Sequence, residues 1–327
     1  MNSKIIGTGS YLPEKVITNF ELEKLVDTND EWIRTRSGIE KRHIADEKEA
    51  TSDLAAKAAI EALKAANLKA SEIDLIIIGT LTPDKLMPST ASQVQRKINA
   101  QNATAFDIAA ACSGFVYGIT IADQFIKSGF YRNIVIIGAE TLSRFINWND
   151  RTTCVLFGDG AGAVVLSGNS DDNRGIIKTI LGTNGFKPAE WLDIEAGGSY
   201  KPGGTYTNNN SEYFIRMNGR EIFKFGSKIL VSAILEILKK SHLSITDIDY
   251  IIPHQANMRI TQHVASILKI NEDKFIMNIN ECANTSAASI PIALDQAVKS
   301  GKINTGDRLI LVGFGAGLTW GSALIDW

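Results

Sequence analysis

The feature that most constrains the fold of this chain is an internal duplication. An amphipathic helix, a polar turn and a strand make up the segment from Ser52, SDLAAKAAIEALKAANLKASEIDLIII, and again the segment from Gly226, GSKILVSAILEILKKSHLSITDIDYII. A second pair follows in the same order: IADQFIKSGFYRNIVIIGAE from Ile121 and ALDQAVKSGKINTGDRLILVGFG from Ala293 share the string Asp-Gln-x-x-Lys-Ser-Gly. Short apolar runs that alternate with amphipathic stretches are typical of α/β layers with buried parallel strands. The sequence therefore predicts two halves built on one helix–strand, helix–strand plan.

The duplication places a cysteine and an asparagine at equivalent positions. The shared strings set Asp123 and Asp295 172 residues apart, and the same offset carries Cys112 onto Asn284. Each of the two follows a strand-like run, TAFDIAAA or KFIMNIN, and precedes the start of a matched helix. A helix start has unpaired N–H groups and the positive end of the helix dipole. In a pseudo-twofold fold we expect these two helix starts to face each other.

The composition is that of an ordinary globular protein. The 327 residues are 44% hydrophobic and 21% charged, which suggests two domains or one doubled architecture around a large core. A formal net charge of −2 gives no indication of nucleic-acid binding. The N-terminal residues lack the pattern of a signal peptide, and no apolar run approaches the roughly 18 residues that span a bilayer. We expect a soluble, cytoplasmic protein.

Cys112 is the candidate nucleophile. It stands in Ala-Ala-Ala-Cys-Ser-Gly-Phe, where small residues lead into a helix whose N-terminus favours thiolate over thiol. The alternative is a buried structural thiol, because free cysteine is commonly buried. Cys154, in the apolar run Thr-Cys-Val-Leu-Phe, is expected to be an inert core thiol, and Cys282 is also expected to be structural. The three irregularly spaced cysteines fit neither a disulfide framework nor a CxxC metal site.

His254 is the histidine best placed to assist a thiol. It follows the strand-like Tyr-Ile-Ile-Pro and begins His-Gln-Ala-Asn, at a strand end where α/β folds bind ligands. His43, His242 and His263 lie in charged or amphipathic stretches typical of surface and helix positions. A structural role is the alternative for His254, and a helix cap or turn is the alternative for Asn284.

Two glycine clusters, at residues 158–162 and 313–317, superficially suggest nucleotide-binding loops. Neither has the P-loop lysine or the GxGxxG spacing. We interpret both as tight turns close to a site. Such a turn can present backbone N–H groups to an oxyanion, which suits acyl transfer.

These motifs together resemble one known family. Ala-Cys-Ser-Gly from residue 111, His-Gln-Ala-Asn from 254 and Asn-Thr-Ser-Ala-Ala-Ser from 284 are similar to those of the 3-oxoacyl-[acyl-carrier-protein] synthase III family. The similarity extends from GTGSYLP and NDEWIRTRSGI near the start to GDGAGA and the closing TWGSALIDW. It implies a duplicated thiolase fold of α-β-α-β-α layers in a homodimer. The implied halves are residues 1–171, with the cysteine, and 172–327, with the histidine and the asparagine.

The resemblance also implies a reaction. The Cys112 thiolate would attack an acyl-CoA primer, with acetyl-CoA as the expected primer, and malonyl on acyl carrier protein would then lose CO₂ and condense with the acyl group. His254 and Asn284 would donate hydrogen bonds to the malonyl thioester oxygen, and the backbone N–H groups of Cys112 and Ala316 would form the oxyanion hole. His254 must then be uncharged, so activity should fall as the pH drops through its pKa. No metal or redox cofactor is expected.

Further contacts are carried over from the same resemblance. Met87 would reach from the partner subunit to the primer pocket, where a residue less bulky than phenylalanine would tolerate primers longer than acetyl. Ser266 and Ile267 stand where some members carry paired lysines, so the carrier-protein patch is expected to be thinner here. The CoA path would be lined by Thr28, Trp32, Arg36, Arg151, Gly219 and Ala256, with Trp32 and Arg151 on either side of the adenine, and the carrier protein would meet Lys224 and Arg259.

Three alternatives remain open from the sequence. The first is a related condensing enzyme that uses a different or longer primer in a secondary pathway. The second is a non-catalytic partner subunit, against which the presence of both Cys112 and His254 argues. The third is a cysteine hydrolase. Elongating synthases use two histidines and thiolases a second cysteine, so Asn284 and the cysteine-free stretch 313–321 argue against both of those classes.

Overall fold

Two β-sheets form the framework of the protein in a computed structural model that describes residues 2–169, 174–202 and 210–327. The strands are β1 Asn2–Tyr11, β2 Lys15–Thr18, β3 Lys41–Ile44, β4 Leu75–Gly79, β5 Thr104–Ile108, β6 Asn133–Thr141, β7 Asp159–Asn169, β8 Gly175–Thr183, β9 Leu192–Asp193, β10 Arg216–Met217, β11 Tyr250–Pro253, β12 Arg308–Gly315 and β13 Thr319–Asp326. The helices are α1 Asn19–Leu22, α2 Asp30–Ser37, α3 Thr51–Ala65, α4 Thr90–Lys97, α5 Gly114–Lys127, α6 Gly219–Lys240, α7 Met258–Leu268, α8 Ile279–Cys282 and α9 Ser289–Lys299.

The first sheet has the strand order β1-β7-β6-β4-β5, in which β4 is parallel to both β5 and β6. Strand β4 shows why this sheet lies inside the molecule. Its side chains point alternately to opposite faces. Leu75 and Ile77 pack with α5 and α9, whereas Ile76 and Ile78 pack with α3 and α4. Because both faces are covered, the strand is apolar throughout, as the sequence predicts.

The second sheet, with the order β11-β12-β13-β8, is covered in the same way. Leu309 and Leu311 of β12 face α5 and α9, and Ile310 and Val312 face α6 and α7. Helices α5 and α9 therefore lie between the two sheets, with α3 and α4 on one outer face and α6 and α7 on the other. The predicted α-β-α-β-α layering of the duplicated thiolase fold is confirmed.

The repeated Asp-Gln-x-x-Lys-Ser-Gly strings form matching contacts in the central layer. Asp123 of α5 and Asp295 of α9 are both buried, and each pairs at 2.9 Å with the lysine one turn later in its helix. Both carboxylates also accept hydrogen bonds from hydroxyls of β1: Ser3 donates to Asp123, while Thr8 donates to Asp295 at 2.8 Å. Strand β1 is thereby hydrogen-bonded to both central helices.

Two expectations from the sequence differ from the structure, and one lies outside the described residues. The predicted boundary between residues 171 and 172 lies outside the described residues, and the division into halves there stays a prediction. The strand-like run KFIMNIN contributes only a single bridge, between Ile251 and Phe275, because Asn278 caps α8 within it. None of the described helices is both long and apolar enough to cross a membrane.

The two glycine clusters are the second difference, because they lie mainly in strands and not in tight turns. Residues 159–162 begin β7, and residues 313–315 end β12. A Cβ on Gly162 would stand 2.6 Å from the backbone nitrogen of Ile292, and one on Gly315 would stand 2.6 Å from that of Cys112. These glycines therefore allow the close approach of the backbone of α9 in one case and of Cys112 in the other.

Candidate active site

Cys112, His254 and Asn284 line one cavity of about 110 Å³. They come from three separate parts of the fold: the turn before α5, the end of β11 and the segment between α8 and α9. The two helix starts that the duplication relates do face each other, as predicted from the sequence. All three side chains are buried, and electrostatic interactions between buried groups are strong.

Cys112 sits in a 3₁₀ turn, Ala111–Ser113, that leads directly into α5. The preceding residue, Ala111, has a left-handed φ of 46°. Burial raises the pKa of the Cys112 thiol to about 12, although the nearby Ser286 hydroxyl acts to lower it. The helix start was expected to favour the thiolate, but desolvation outweighs that effect. Deprotonation of Cys112 therefore needs a group that accepts its proton.

A second cavity, of about 250 Å³, also has Cys112 in its wall and is mostly apolar. Ala316 lines it together with Cys112, and the close approach of Gly315 to the Cys112 nitrogen brings these two backbone segments together. The Ser113 hydroxyl lies 2.7 Å from that of Thr319, which in turn donates to the Ala110 carbonyl at 2.9 Å. These hydrogen bonds hold residues 110–113 against the start of β13. The walls of the cavity are completed by Leu81, Ala111, Leu142, Phe157, Leu192, Asp193, Ile194, Ile215 and Ser286.

His254 is held at the end of β11 by a chain of hydrogen bonds. Its Nδ1 lies 2.8 Å from the Ser289 hydroxyl, which is also 2.8 Å from the Ser286 carbonyl. Burial lowers the pKa of His254 to about 3, so the imidazole is neutral near pH 7. The other ring nitrogen, Nε2, is the one available to a substrate.

Asn284 is fixed through both its backbone and its side chain. Its N–H donates to the Leu156 carbonyl and its carbonyl accepts from the Gly158 N–H, both at 3.0 Å. Its side-chain Oδ1 accepts a hydrogen bond from the Ser286 N–H at 2.8 Å. Because Oδ1 is already used, the amide NH₂ is the end of the side chain that can face a substrate oxygen.

Two residues beside the cysteine were missed by the sequence analysis. Glu140, at the end of β6, is completely buried, and Ser286 lines the apolar cavity with Cys112. Burial raises the pKa of Glu140 to about 7, against hydrogen bonds from the loop 80–82 and from Ser286. A signal for Glu140 was present in the sequence: it is a lone carboxylate that ends the apolar run NIVIIGAE.

Trp32 and Arg151, the pair expected on either side of an adenine, lie against each other. The Arg151 guanidinium is 5.5 Å from the Trp32 ring centre and donates to the Asp27 carbonyl at 2.8 Å. A ring stacked between them at van der Waals contact on both faces needs a separation of about 7 Å. The two side chains must therefore move apart to admit a base.

The remaining predicted contacts fall into three groups. Gly219 and Ala256 line the cavity of the catalytic candidates, which makes them part of one approach to Cys112. Arg36 is exposed and its carbonyl accepts from Asn257 at 3.0 Å, while the buried hydroxyl of Thr28 has no hydrogen-bond partner among the described residues. Lys224, paired with Glu221, and Arg259, above the Phe223 ring, are surface cations on α6 and α7.

Met87 lies apart from both cavities. Its side chain is 83% exposed, as is that of the neighbouring Leu86 at 88%. Two adjacent apolar side chains with this exposure form a small hydrophobic surface. The expectation that Met87 completes the primer pocket of a partner subunit stays a prediction.

A layered, duplicated fold with a buried cysteine, histidine and asparagine around one cavity defines a condensing enzyme of the thiolase fold. Residues 106–185 match the family profile described as 3-oxoacyl-[acyl-carrier-protein (ACP)] synthase III, and residues 238–327 match the profile of its C-terminal part. A beta-ketoacyl-[acyl-carrier-protein] synthase III from Caldanaerobacter subterraneus subsp. tengcongensis is 53% identical, with 99% of this chain and 97% of the relative covered. One from Clostridioides difficile is 51% identical over 100% and 99% of the two chains.

Solved structures agree with these relatives. The crystal structure of 3-oxoacyl-[acyl-carrier-protein] synthase III from Aquifex aeolicus VF5 matches with a TM-score of 0.91 and 48% identity, covering 99% of this chain and 100% of that one. The priming beta-ketosynthase of the R1128 polyketide pathway matches with a TM-score of 0.92 and 33% identity, covering 99% and 96%. The chain therefore belongs to the 3-oxoacyl-[acyl-carrier-protein] synthase III family of acyltransferases.

Proposed function

We propose that this protein catalyses the initiating condensation of type II fatty-acid synthesis, in which an acyl-CoA primer and malonyl-[acyl carrier protein] give 3-oxoacyl-[acyl carrier protein], CoA and CO₂. The observation that carries the proposal is the single cavity lined by Cys112, His254 and Asn284, with an apolar cavity beside the cysteine. A nucleophile, two neutral hydrogen-bonding groups and room for an acyl chain are the parts that this reaction needs.

In the first half-reaction, the Cys112 sulfur attacks the carbonyl carbon of the acyl-CoA thioester. The backbone N–H groups of Cys112 and Ala316 stabilise the negative oxygen of the tetrahedral intermediate, since the two segments are held together at Gly315. Loss of CoA leaves the acyl group on Cys112. The acyl chain then extends into the apolar cavity.

In the second half-reaction, malonyl-[acyl carrier protein] enters and loses CO₂ to form an enolate. The Asn284 NH₂ donates to the enolate oxygen, because Ser286 already occupies its Oδ1. His254 donates from Nε2 in the tautomer whose Nδ1 accepts the proton of the Ser289 hydroxyl across their 2.8 Å contact. That hydroxyl has one proton, so in this tautomer it does not also donate to the Ser286 carbonyl, which lies equally close. The enolate carbon then attacks the acyl-Cys112 carbonyl. No metal or redox group is proposed for either step.

The size of the apolar cavity supports a primer pocket that accepts more than acetyl. At about 250 Å³ it has more than twice the volume of an acetyl group, which is roughly 90 Å³ if each of its three non-hydrogen atoms counts like one water of about 30 Å³. In a homodimer the partner subunit's Met87 would reduce this space, and a flexible methionine adapts to different chain lengths. A panel of acyl-CoA primers tests this point, and strict acetyl-CoA preference would contradict it.

The substrates approach from the surface that carries the predicted cations. Trp32 and Arg151 would separate to stack on the adenine of CoA, with Thr28, Arg36, Gly219 and Ala256 along the path. Lys224 and Arg259 would meet the acidic carrier protein by charge complementarity. Arg259→Glu should then raise the KM for malonyl-[acyl carrier protein] and leave acylation by acetyl-CoA unchanged. Lys240→Glu, at the far end of α6, is the matched control for the charge reversal.

The experiment that tests the proposed function is a condensation assay with acetyl-CoA and malonyl-[acyl carrier protein]. The proposal predicts 3-oxoacyl-[acyl carrier protein] together with equal amounts of CoA and CO₂. Release of CoA without CO₂ would indicate a cysteine hydrolase, and no turnover of any acyl-CoA would indicate a non-catalytic partner subunit. Turnover only with longer primers would favour a related condensing enzyme of a secondary pathway.

A further inference from the structure

We propose that Glu140, acting through the hydroxyl of Ser286, accepts the proton of the Cys112 thiol during acyl transfer. This inference rests on the proposed function, because it assigns the proton of the first half-reaction. Burial makes Cys112 a weak acid, and the neutral His254 is oriented for hydrogen bonding to substrate. The mechanism above therefore leaves the thiol proton without an acceptor.

The Glu140 carboxylate is buried and anchored at one oxygen. Its Oε2 lies 2.6 Å from the Thr82 hydroxyl, 3.1 Å from the Thr82 N–H and 3.1 Å from the Thr80 hydroxyl. The Leu81 N–H lies 3.3 Å from Oε1 and 3.2 Å from Oε2. These donors fix the carboxylate and crowd Oε2, so Oε1 is the oxygen with capacity for a further donor.

Ser286 connects this carboxylate to the cysteine. Its hydroxyl oxygen is buried and makes no hydrogen bond with the described residues. Ser286 lines the apolar cavity together with Cys112, and its hydroxyl acts to lower the pKa of both Cys112 and Glu140. The Ser286–Ala288 turn packs on the end of β6, where a Cβ on Gly138 would stand 2.1 Å from the Ala287 carbonyl oxygen. A buried hydroxyl that is free to rotate between an acid and a base is suited to passing a proton.

Ser286 is also held in a strained conformation. Its φ of 48° is left-handed, a region that non-glycine residues seldom adopt. Its N–H donates to Asn284 Oδ1 at 2.8 Å, and its carbonyl oxygen lies 2.8 Å from the Ser289 hydroxyl. Asn284 and Ser289 therefore hold the backbone of Ser286 in place. The Ser286 hydroxyl makes no hydrogen bond with the described residues, so its orientation is not fixed in this way.

The proton transfer is balanced over the half-reaction. As the Cys112 sulfur forms its bond to the acyl carbon, the thiol proton passes to the Ser286 oxygen while the Ser286 proton passes to Glu140. Collapse of the tetrahedral intermediate breaks the bond between the acyl carbon and the CoA sulfur. Glu140 then returns the proton through Ser286 to the CoA thiolate, so that acyl-Cys112, CoA thiol and an ionised Glu140 remain.

The charges around Glu140 favour a shared proton over two ionised groups. The titratable groups that face it are Cys112, from the turn before α5, and His254, which lies beyond Ser286 and is neutral. Asp159 of β7 faces the opposite side of the sheet, where it accepts from Ser143 and Ala45. The Glu140 charge raises the pKa of Cys112, so the buried pair is stable with one negative charge and not with two.

Two rate measurements across a range of pH test the proposal. The first is single-turnover acylation of the full-length protein by acetyl-CoA. The second is alkylation of Cys112 by iodoacetamide, resolved from Cys154 and Cys282 by peptide mass spectrometry, which needs no acyl substrate. Both rates should fall as the pH drops through about 7, where Glu140 becomes protonated.

The variants separate a proton path from a structural role. Glu140→Gln, Ser286→Ala and Ser286→Gly should each slow acylation about 100-fold and remove the pH dependence near 7. The two Ser286 variants remove the same hydroxyl, but glycine also relieves the left-handed backbone, so a strain effect would differ between them. Thr82→Val should move the midpoint to higher pH, because it removes a hydrogen bond that favours the charged carboxylate. Asp159→Asn controls for loss of a buried carboxylate and should leave the midpoint unchanged.

Wild-type rates and an unchanged midpoint in folded Glu140→Gln and Ser286→Gly would overturn the proton path and leave the proposed function standing. Failure of the wild-type protein to take up acetyl would instead count against the proposed function. In that case the alkylation profiles still decide the proton path, since they report on Cys112 alone. A midpoint that moves equally in Asp159→Asn would also overturn the assignment to Glu140.

Discussion

Ala111 and Ala283, 172 residues apart, both have a left-handed backbone, with φ of 46° and 56°. Each directly precedes the residue that the duplication places at the site, Cys112 in one half and Asn284 in the other. The positive φ thus recurs at the position where the chain leaves a strand or helix end and enters the turn before the next helix. The duplication is thus visible in backbone geometry at the site itself, where the two sequences otherwise differ in chemistry.

The strain at Ala283 leads to a prediction about stability. Its φ of 56° and ψ of −161° belong to a region that costs a non-glycine residue about 1–3 kcal/mol. We expect Ala283→Gly to leave the free energy of unfolding unchanged or to raise it by up to about 1 kcal/mol, because relief of strain offsets the loss of a methyl and the freedom of glycine. Ala288→Gly, equally buried but at a φ of −74°, should lower it by about 1–2 kcal/mol. Equal losses in urea denaturation would contradict the strain at Ala283.

Asn284→Asp tests the donor role of the amide. The carboxylate can still accept from the Ser286 N–H, so the local structure should persist, but the NH₂ is lost and a negative charge faces the enolate. We expect malonyl decarboxylation to fall by about 10²–10³-fold. Asn271→Asp, at the exposed start of the 3₁₀ turn Glu272–Lys274, makes the same chemical change at a side chain whose Oδ1 also accepts from the N–H two residues later, and it should leave decarboxylation near the wild-type rate. A small effect of Asn284→Asp would show that the amide does not donate to the enolate.

The pKa of His254 predicts the pH dependence of decarboxylation. His254 must be neutral, and burial lowers its pKa to about 3, so it becomes charged only when the pH falls below that value. The decarboxylation rate should therefore show no histidine inflection from about pH 5 to 8, the range in which an exposed histidine titrates. A titration of the ring followed by NMR should give the same result. An inflection near 6.5 that His254→Gln removes would contradict the buried, neutral state.

Asp295 should contribute more to stability than the lysine it pairs with. Its carboxylate is buried and accepts from Thr8 at 2.8 Å and Ser10 at 2.5 Å, whereas Lys299 is 53% exposed. Asp295→Ala leaves those hydroxyls without their acceptor, so we expect it to lower the free energy of unfolding by about 2–3 kcal/mol. Lys299→Met should lower it by less than about 1 kcal/mol. Denaturant titrations of both variants check the order, and the reverse order would be inconsistent with the contacts described.

Much of the fold followed from the sequence because its repeats are long and its periodicities are clear. The offset between Asp123 and Asp295 was sufficient to pair Cys112 with Asn284, and the alternation in β4 was sufficient to place helices on both faces of a sheet. His254 was located by its position after a strand. The sequence motifs were sufficient to identify the family, and the similar proteins confirm it.

Other features depend on tertiary packing that a linear pattern does not contain. The glycine clusters were interpreted as turns, because the close approach of α9 to Gly162 and of Cys112 to Gly315 is set by distant segments. The reactivity expected of Cys112 from its helix start is opposed by desolvation, which only the assembled layers produce. Glu140 and Ser286 were missed since neither stands in a pattern with the cysteine. Their proximity arises where β6 meets the turn before α9.

The central claim is that Cys112 carries the acyl group, and intact-protein mass spectrometry after incubation with acetyl-CoA tests it most directly. The account predicts that the wild-type protein gains the mass of one acetyl group and that Cys112→Ser gains none. Peptide mapping should place the group on Cys112 and not on the buried Cys154 or Cys282. A wild-type protein that remains unmodified by acetyl-CoA and by every longer acyl-CoA, or an equal adduct on Cys112→Ser, would contradict the account.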